Sequence, residues 1–154
     1  MCSSDLWSGA WTGADSTASG VVTALLDARR ADGAGLARVV HEALPAGTHF
    51  LVASSMAVRD LEWFAAARTG LTLHANRGAN GIDGLIATAT GIALGSAVPT
   101  VALLGDLAAH HDASSLVAAL GADAHLTVVV ADNAGGGRSE EHTSELQSPC
   151  NLVC

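Results

Sequence analysis

Two short polar pairs in the sequence have the residue types of a metal site. Gly105-Asp106 and Asp132-Asn133 each follow an apolar run of strand length. A carboxylate from Asp106, an amide oxygen from Asn133 and a backbone carbonyl near Gly135 are hard oxygen ligands of the kind that Mg²⁺ prefers. The glycines at 135–137 would allow a phosphate to approach the backbone closely. The residue types therefore predict a magnesium site that also holds a phosphate group.

The elements that must position these pairs alternate along the chain. Apolar runs and helical spacing indicate an α/β domain with a parallel sheet and flanking helices. In such a fold the polar turns meet at the carboxyl ends of the strands, and a helix beginning after Asp106 would direct free N–H groups at a phosphate. The predicted strands are His49 to Ala53, Leu71 to Ala75, Thr100 to Leu104 and Leu126 to Ala131. The predicted helices are Trp11 to Ala31, Leu36 to Leu44, a helix from Ser54 or Ser55 through Phe64, Gly84 to Leu94, and a helix after Asp106 through about Leu120.

Composition narrows the class of protein. The 154 residues are 49% hydrophobic, which predicts one folded domain rather than a disordered chain. The net charge of -8 argues against a nucleic-acid partner, whose phosphates demand a basic face. The apolar runs are too short to span a bilayer, and no segment has the features of a signal peptide. We therefore expect a cytoplasmic protein without a membrane partner.

We expect that both ends of the chain do not belong to the native protein. Residues 138–154, RSEEHTSELQSPCNLVC, resemble the translation of a common sequencing adapter, and residues 1–6, MCSSDL, resemble its reverse complement. We expect the native segment to be residues 7–137, and the alternative is a genuine polar tail. All three cysteines, Cys2, Cys150 and Cys154, lie in the excluded ends, so no disulfide or zinc site is expected.

The polar pairs belong to a wider resemblance. Gly105-Asp106 followed by Asp132-Asn133 is similar to the GD…NN signature of thiamine-diphosphate enzymes, with Asp132 where the pattern usually has Asn. Four stretches, SSMAVRDLEWF, NRGANGIDGLIATATGIAL, GDLAAHHD and VVVADNAGGG, occur in this order. They resemble the diphosphate-binding domain of the 2-succinyl-5-enolpyruvyl-6-hydroxy-3-cyclohexene-1-carboxylate (SEPHCHC) synthase family. The resemblance covers nearly all of residues 7–137 and implies a truncated copy of that domain.

The resemblance implies a role for individual residues. Mg²⁺ or Mn²⁺ would be held by Asp106, Asn133 and the carbonyl of Gly135, and through the metal these residues would bind the cofactor diphosphate. Ser55 and Met56 would lie against the aminopyrimidine ring, Ile82 would lie beneath the bent cofactor, and Gly105 would adjoin its diphosphate. Arg59 and Arg77 would bind substrate carboxylates, because a guanidinium pairs with a carboxylate through two hydrogen bonds. For either arginine the alternative is a surface salt bridge, for instance of Arg59 with Asp60 or Glu62.

The implied reaction is a carbon–carbon bond-forming transfer in menaquinone biosynthesis. 2-Oxoglutarate loses CO2 and its remaining succinyl semialdehyde unit adds to isochorismate. In this family a glutamate from an upstream domain of a neighbouring subunit activates the cofactor, so the complete enzyme is expected to be a homo-oligomer. Residues 7–137 contain no such domain, and we expect the fragment alone to be inactive and to fold poorly.

Two other classes remain open. Another thiamine-diphosphate enzyme, such as an acetolactate synthase or a 2-oxoacid decarboxylase, would share the signature, but its monoanionic or apolar substrates would leave Arg59 and Arg77 without a role. A non-enzymatic phosphate-binding domain of Rossmann-like shape is the third class, and the first strand-to-helix turn lacks its G-x-G-x-x-G fingerprint.

Overall fold

The computed structural model describes residues 3–28, 33–76 and 81–133. Strands and helices alternate after two initial helices, as the sequence pattern predicts. The elements are α1 (Ser3–Ala28), α2 (Gly33–Ala43), β1 (His49–Val52), α3 (Met56–Phe64), β2 (Thr72–His74), α4 (Leu85–Ser96), β3 (Thr100–Gly105), α5 (Asp106–His111), α6 (Ser114–Gly121) and β4 (Leu126–Ala131).

The four strands form one parallel sheet in the order β2-β1-β3-β4. In the register between β3 and β4, Thr100 lies opposite Leu126 and Gly105 lies opposite Ala131. Near-continuous apolar sequence in β1 and β3 reflects burial on both faces, which is typical of a parallel sheet covered by helices. The predicted α/β class with a parallel sheet and flanking helices is confirmed.

Alternate residues along the strands supply two hydrophobic cores, one on each face of the sheet. Leu51, Ala102 and Leu104 pack against α4 and α5 in one core. Phe50, Val52 and Leu103 pack against α2 and α3 in the other. The period of two in a strand directs successive side chains to opposite faces, so the sheet is the middle layer of three.

Helix α1 differs from the prediction at its start. It begins at Ser3 instead of Trp11, and its predicted last residues, 29–31, lie outside the described part. Most of its side chains are exposed, including Trp7 and Trp11, whose ring centroids are 5.8 Å apart. Among the side chains of α1 that the structure describes, Leu26 is buried. Little of α1 packs on the sheet, which explains why apolar spacing did not reveal where the helix begins.

The helix predicted after Asp106 is also different, because it divides into two. α5 ends at His111, Asp112 follows it, and α6 begins at Ser114. Asp112 is buried with its carboxylate bonded to another helix, so the backbone turns at this point instead of continuing the helix. In the described part of the chain, none of the helices has the length and apolar character needed to cross a membrane.

Candidate functional site

The order of the strands defines a switch point in the sheet. From β1 the chain moves outward to β2 and then crosses back to β3 on the other side of β1. In open α/β sheets ligands bind at the carboxyl ends of the strands where this reversal occurs. The residues after β1 and after β3 therefore flank the expected crevice. The backbone N–H of Ala53 donates to the Leu103 carbonyl at 3.0 Å, which keeps the two strands paired up to this edge.

Asp106 stands at the carboxyl end of β3, at the first position of α5. Gly105 is the N-cap residue of α5 and has extended backbone angles, φ -79° and ψ 163°. The Asp106 side chain is half-buried, and within the described residues it makes no hydrogen bond or ion pair. α5 has only six residues, fewer than the sequence predicted, so its dipole contributes less to anion binding than a long helix would.

The end of β4 lies beside Asp106 because the two strands are in register. Gly105 pairs with Ala131, so Asp132 and Asn133 leave the sheet next to the turn that carries Asp106. Asn133 is exposed. Gly135, the third predicted ligand, lies outside the described residues. One carboxylate and one amide oxygen from neighbouring strands are compatible with a hard cation that completes its coordination with phosphate and water.

Within the described ranges, no three His, Cys, Asp or Glu side chains come together as a metal cluster. The predicted ligand set would not form such a cluster, since it contains one carboxylate, one carboxamide and one backbone carbonyl. The donor chemistry therefore fits a magnesium ion shared with a diphosphate and does not fit a site made by protein side chains alone.

Ser55 and Met56 lie at the carboxyl end of β1, where α3 begins. Ser55 is the N-cap residue of α3, but its side chain makes no capping hydrogen bond. Ser54 also does not cap α3, since its hydroxyl donates to the Asn76 carbonyl at 2.6 Å. Ser55 thus occupies the N-cap position without a side-chain bond to α3, and Ser54 joins the ends of β1 and β2.

A chain of hydrogen bonds continues from this point into α4. The side-chain amide of Asn76 donates to the Thr88 hydroxyl oxygen at 3.0 Å, and that hydroxyl donates to the Gly84 carbonyl at 2.7 Å. The ends of β1 and β2 and the first turn of α4 are thus tied together at the predicted site edge.

The remaining predicted residues are only partly described. Ile82 is half-buried and packs against the core between the sheet and α4. Arg59 is exposed on α3, with Nη1 3.9 Å from the Met56 sulfur. The salt bridges considered for Arg59 with Asp60 and Glu62 are not among the ion pairs of the described residues. Arg77 lies outside the described part of the chain.

Asp112 is the residue that sequence reasoning missed. Its side chain is buried, and Oδ2 accepts hydrogen bonds from the backbone N–H groups of Ile86 at 2.6 Å and Ala87 at 3.1 Å. The Ser115 hydroxyl donates to Oδ1 at 2.5 Å. An acidic residue inside a run with helical spacing was the available signal. Asp112 therefore accepts from the first N–H groups of α4, a role that a side chain at the N-cap position usually has.

Two exposed residues form a second contact beside Asp112. Nδ1 of His111 lies 3.6 Å from Oδ1 of Asp83, in the turn that precedes α4. His110 is exposed on the same short helix. His111 therefore touches the turn of the candidate site, whereas a direct role in ligand binding is not indicated for either histidine.

No family model matches the chain. The chain does match curated relatives that carry the name 2-succinyl-5-enolpyruvyl-6-hydroxy-3-cyclohexene-1-carboxylate synthase. The protein from Chloroflexus aurantiacus is 42% identical over 134 residues, which cover 86% of this chain and 23% of that protein. The Myxococcus xanthus protein is 50% identical over 103 residues (66% and 18%), and the Synechococcus elongatus protein is 46% identical over 104 residues (67% and 18%).

The chain thus spans a quarter or less of the length of these relatives. Its parallel sheet and flanking helices define part of an α/β domain. The matches confirm the resemblance seen in the sequence: the chain is homologous to a segment of the SEPHCHC synthase family.

Proposed function

We propose that this chain is a segment of a thiamine-diphosphate- and Mg²⁺-dependent synthase of menaquinone biosynthesis. The complete enzyme would decarboxylate 2-oxoglutarate and add the resulting four-carbon unit to isochorismate, giving SEPHCHC and CO2. The observation that carries the proposal is the match of 42% identity over 86% of the chain to a synthase of that name. The switch point between β1 and β3, with Asp106 at its edge, supports it independently.

The metal and cofactor would be held at the carboxyl edge of β3 and β4. Asp106, Asn133 and the Gly135 carbonyl would coordinate Mg²⁺ (or Mn²⁺), and Gly105 would let the diphosphate lie against the strand end. When bound, thiamine diphosphate supplies an electron sink for loss of CO2 from a 2-oxo acid and for the following carbon–carbon bond formation. The half-buried Asp106 carboxylate, without a partner among the described residues, supports this assignment.

The other end of the cofactor would lie near the start of α3. Ser55 and Met56 would contact the aminopyrimidine ring, and Ile82 would support the cofactor from below. Ser55 suits this role because its hydroxyl is not used to cap α3. Ile82 suits it because it packs on the core and is therefore held in place.

Substrate carboxylates would be bound by Arg59 and Arg77. Both substrates carry two carboxylates, and a planar guanidinium binds a carboxylate through paired hydrogen bonds. Arg59 lies on α3, which begins at the carboxyl edge of β1, and its exposure leaves it accessible to a substrate.

The native part of the chain would be residues 7–137, with residues 1–6 and 138–154 derived from adapter. The activating glutamate would come from an upstream domain of a neighbouring subunit in a homo-oligomer, so the fragment alone would have no synthase activity. Sequencing across both junctions tests this division. A reading frame that continues past 137 into further strands supports it, and genomic coding of RSEEHTSELQ refutes it.

The function is tested by expressing the complete protein that carries this segment. With Mg²⁺ and thiamine diphosphate, we expect CO2 release from 2-oxoglutarate that is coupled to consumption of isochorismate. Arg77→Ala should reduce the use of these dicarboxylates, whereas Arg38→Ala, the same change at an arginine of α2 that pairs with Glu42, is the control. Carboligation of pyruvate, without use of 2-oxoglutarate, would instead identify another thiamine-diphosphate enzyme.

A further inference from the structure

We propose that Asp112 is a positioning residue of the cofactor site, an inference that rests on the proposed function. Its carboxylate would hold the turn carrying Ile82 at a fixed distance from the metal ligand Asp106. Asp112 itself would touch neither cofactor nor substrate, and would act through the first turn of α4.

The first turn of α4 depends on this distant carboxylate. A helix leaves its first N–H groups without partners inside the helix, and a side chain at the N-cap normally accepts from the second or third of them. In α4 the N-cap residue is Gly84, with φ 68° and no side chain to do so. Ile86 and Ala87, the second and third residues of α4, donate instead to Asp112, which is 26 positions from Ile86 in the sequence.

The carboxylate is itself held in a single orientation. Asp112 is 6% exposed, and its other oxygen accepts from the Ser115 hydroxyl at the start of α6. A buried carboxylate is stable only when its oxygens are satisfied, so loss of these bonds would cost more than a surface contact. The end of α5, the start of α6 and the start of α4 therefore meet at one side chain.

The connection to the metal side follows from the length of α5. Asp106 is the first residue of α5 and Asp112 is its C-cap, so one six-residue helix joins them. Such a helix is about 9 Å long and does not bend appreciably. His111, beside Asp112, lies 3.6 Å from Asp83 in the turn that follows Ile82 directly. The two contacts are that of Asp112 with the start of α4 and that of His111 with Asp83. Through them α5 would fix the position of Ile82 relative to Asp106.

The test uses the complete protein that carries the segment and two measurements. Amide hydrogen exchange at Ile86 and Ala87 reports whether their N–H groups are bonded to Asp112. The dissociation constant of thiamine diphosphate with saturating Mg²⁺ reports whether the cofactor site is correctly positioned. For Asp112→Ala we expect exchange to accelerate about tenfold or more and the dissociation constant to rise about tenfold. Asp112→Asn keeps an acceptor oxygen of the same shape and should restore the affinity to within about threefold of the wild type.

A destabilised control separates positioning from folding. Leu44 is buried in the core on the α2 and α3 face, before β1 begins. Leu44→Ala should lower the free energy of unfolding and leave the dissociation constant unchanged. If Leu44→Ala, at matched stability, loses as much affinity for thiamine diphosphate, Asp112 has only a structural role. If amide exchange at Ile86 and Ala87 is unchanged in Asp112→Ala, Asp112 does not hold the start of α4 and the proposal fails.

The same measurements also cover two further cases, an Asp112→Ala variant that does not fold and a wild-type protein that does not bind the cofactor. If Asp112→Ala does not fold, Ser115→Ala replaces it, with an expected rise of about threefold in the dissociation constant, and no change would overturn the proposal. If the wild-type protein binds no thiamine diphosphate, the proposed function fails and the positioning role fails with it. Exchange at Ile86 and Ala87 would still report separately whether Asp112 holds α4.

Discussion

Nδ1 of His49 lies 2.8 Å from Nε2 of His74, so the first residue of β1 and the last residue of β2 share a hydrogen bond. Their ring centroids are 5.0 Å apart and the ring planes differ by 13°. One ring must donate and the other accept, which requires that at least one imidazole be neutral. The contact therefore joins the start of β1 to the end of the edge strand β2.

We predict that acidification destabilises this part of the protein through two histidines, His74 and His41. Burial, together with the neighbouring His49, lowers the pKa of His74 below its usual 6.5. Burial and the nearby Arg68 likewise lower the pKa of His41. A lowered pKa means that the unfolded chain binds protons more tightly, so stability is complete above about pH 6.5 and is lost as the pH falls through the folded-state pKa.

Urea unfolding between about pH 7.5 and 5 measures this effect, and His74→Gln should make the pH dependence weaker. His125→Gln, the same change at an exposed histidine, is the control. Equal pH dependence in the wild type and in His74→Gln would contradict the assignment to His74.

The sheet core should respond strongly to loss of volume. Leu104 is fully buried in β3, whereas Leu94 on α4 is 51% exposed. We predict that Leu104→Ala lowers the free energy of unfolding by about 2–5 kcal/mol because it leaves a cavity. Leu94→Ala, the same change at an exposed position, should stay within about 0.5 kcal/mol, as is usual for surface sites. Denaturant titration of both variants measures the difference, and similar losses would contradict the two-core description.

Arg68 should stabilise the end of α2. Nη1 donates to the carbonyl of His41 at 2.9 Å, and Nη2 donates to that of Leu44 at 2.9 Å. A charged donor on otherwise unpartnered helix carbonyls is favourable, and we predict that Arg68→Ala costs about 1.5–3 kcal/mol of stability. Arg68→Lys keeps the positive charge but lacks the planar guanidinium group, so it should lose only part of the stability that Arg68→Ala loses. Full recovery by lysine would indicate that charge alone matters.

Strand β4 should promote self-association of the isolated chain. Within the described residues β4 pairs with β3 on one side only, and Val130 is 42% exposed. An unprotected apolar edge favours pairing with another chain, and a lysine at the edge opposes it. We predict that Val130→Lys reduces aggregation, which light scattering during refolding would detect. Leu73 on the opposite edge strand is 58% exposed, so Leu73→Lys tests whether β2 contributes as well.

The sheet was predictable because its strands have continuous apolar sequence bounded by polar turns. A parallel sheet covered on both faces imposes this pattern, so β1, β3 and β4 were placed within a residue or two. The common edge for Asp106 and Asn133 followed from the alternation of strands and helices, since parallel strands end at the same side. Periodicity says little about α1, because few of its residues are buried.

The contacts that depend on tertiary structure were not predictable. Asp112 caps α4 from 26 positions away, and no local pattern shows which helix a buried carboxylate will reach. The break between α5 and α6 has the same cause. The pairing of His49 with His74 depends on the register of two strands, in which His74 lies opposite Leu51. The sequence shows both histidines, but it does not show which residues of the two strands lie opposite each other.

The most direct test of the proposed function is calorimetric titration of thiamine diphosphate into the complete protein with Mg²⁺ present. We expect binding that disappears with a chelator and weakens about a hundredfold or more in Asp106→Ala. Asp15, an exposed residue of α1, provides the control, since Asp15→Ala makes the same change of charge away from the site. Binding that is unaffected by Asp106→Ala, or absent from the wild-type protein, would contradict the proposal that this edge of the sheet holds the cofactor.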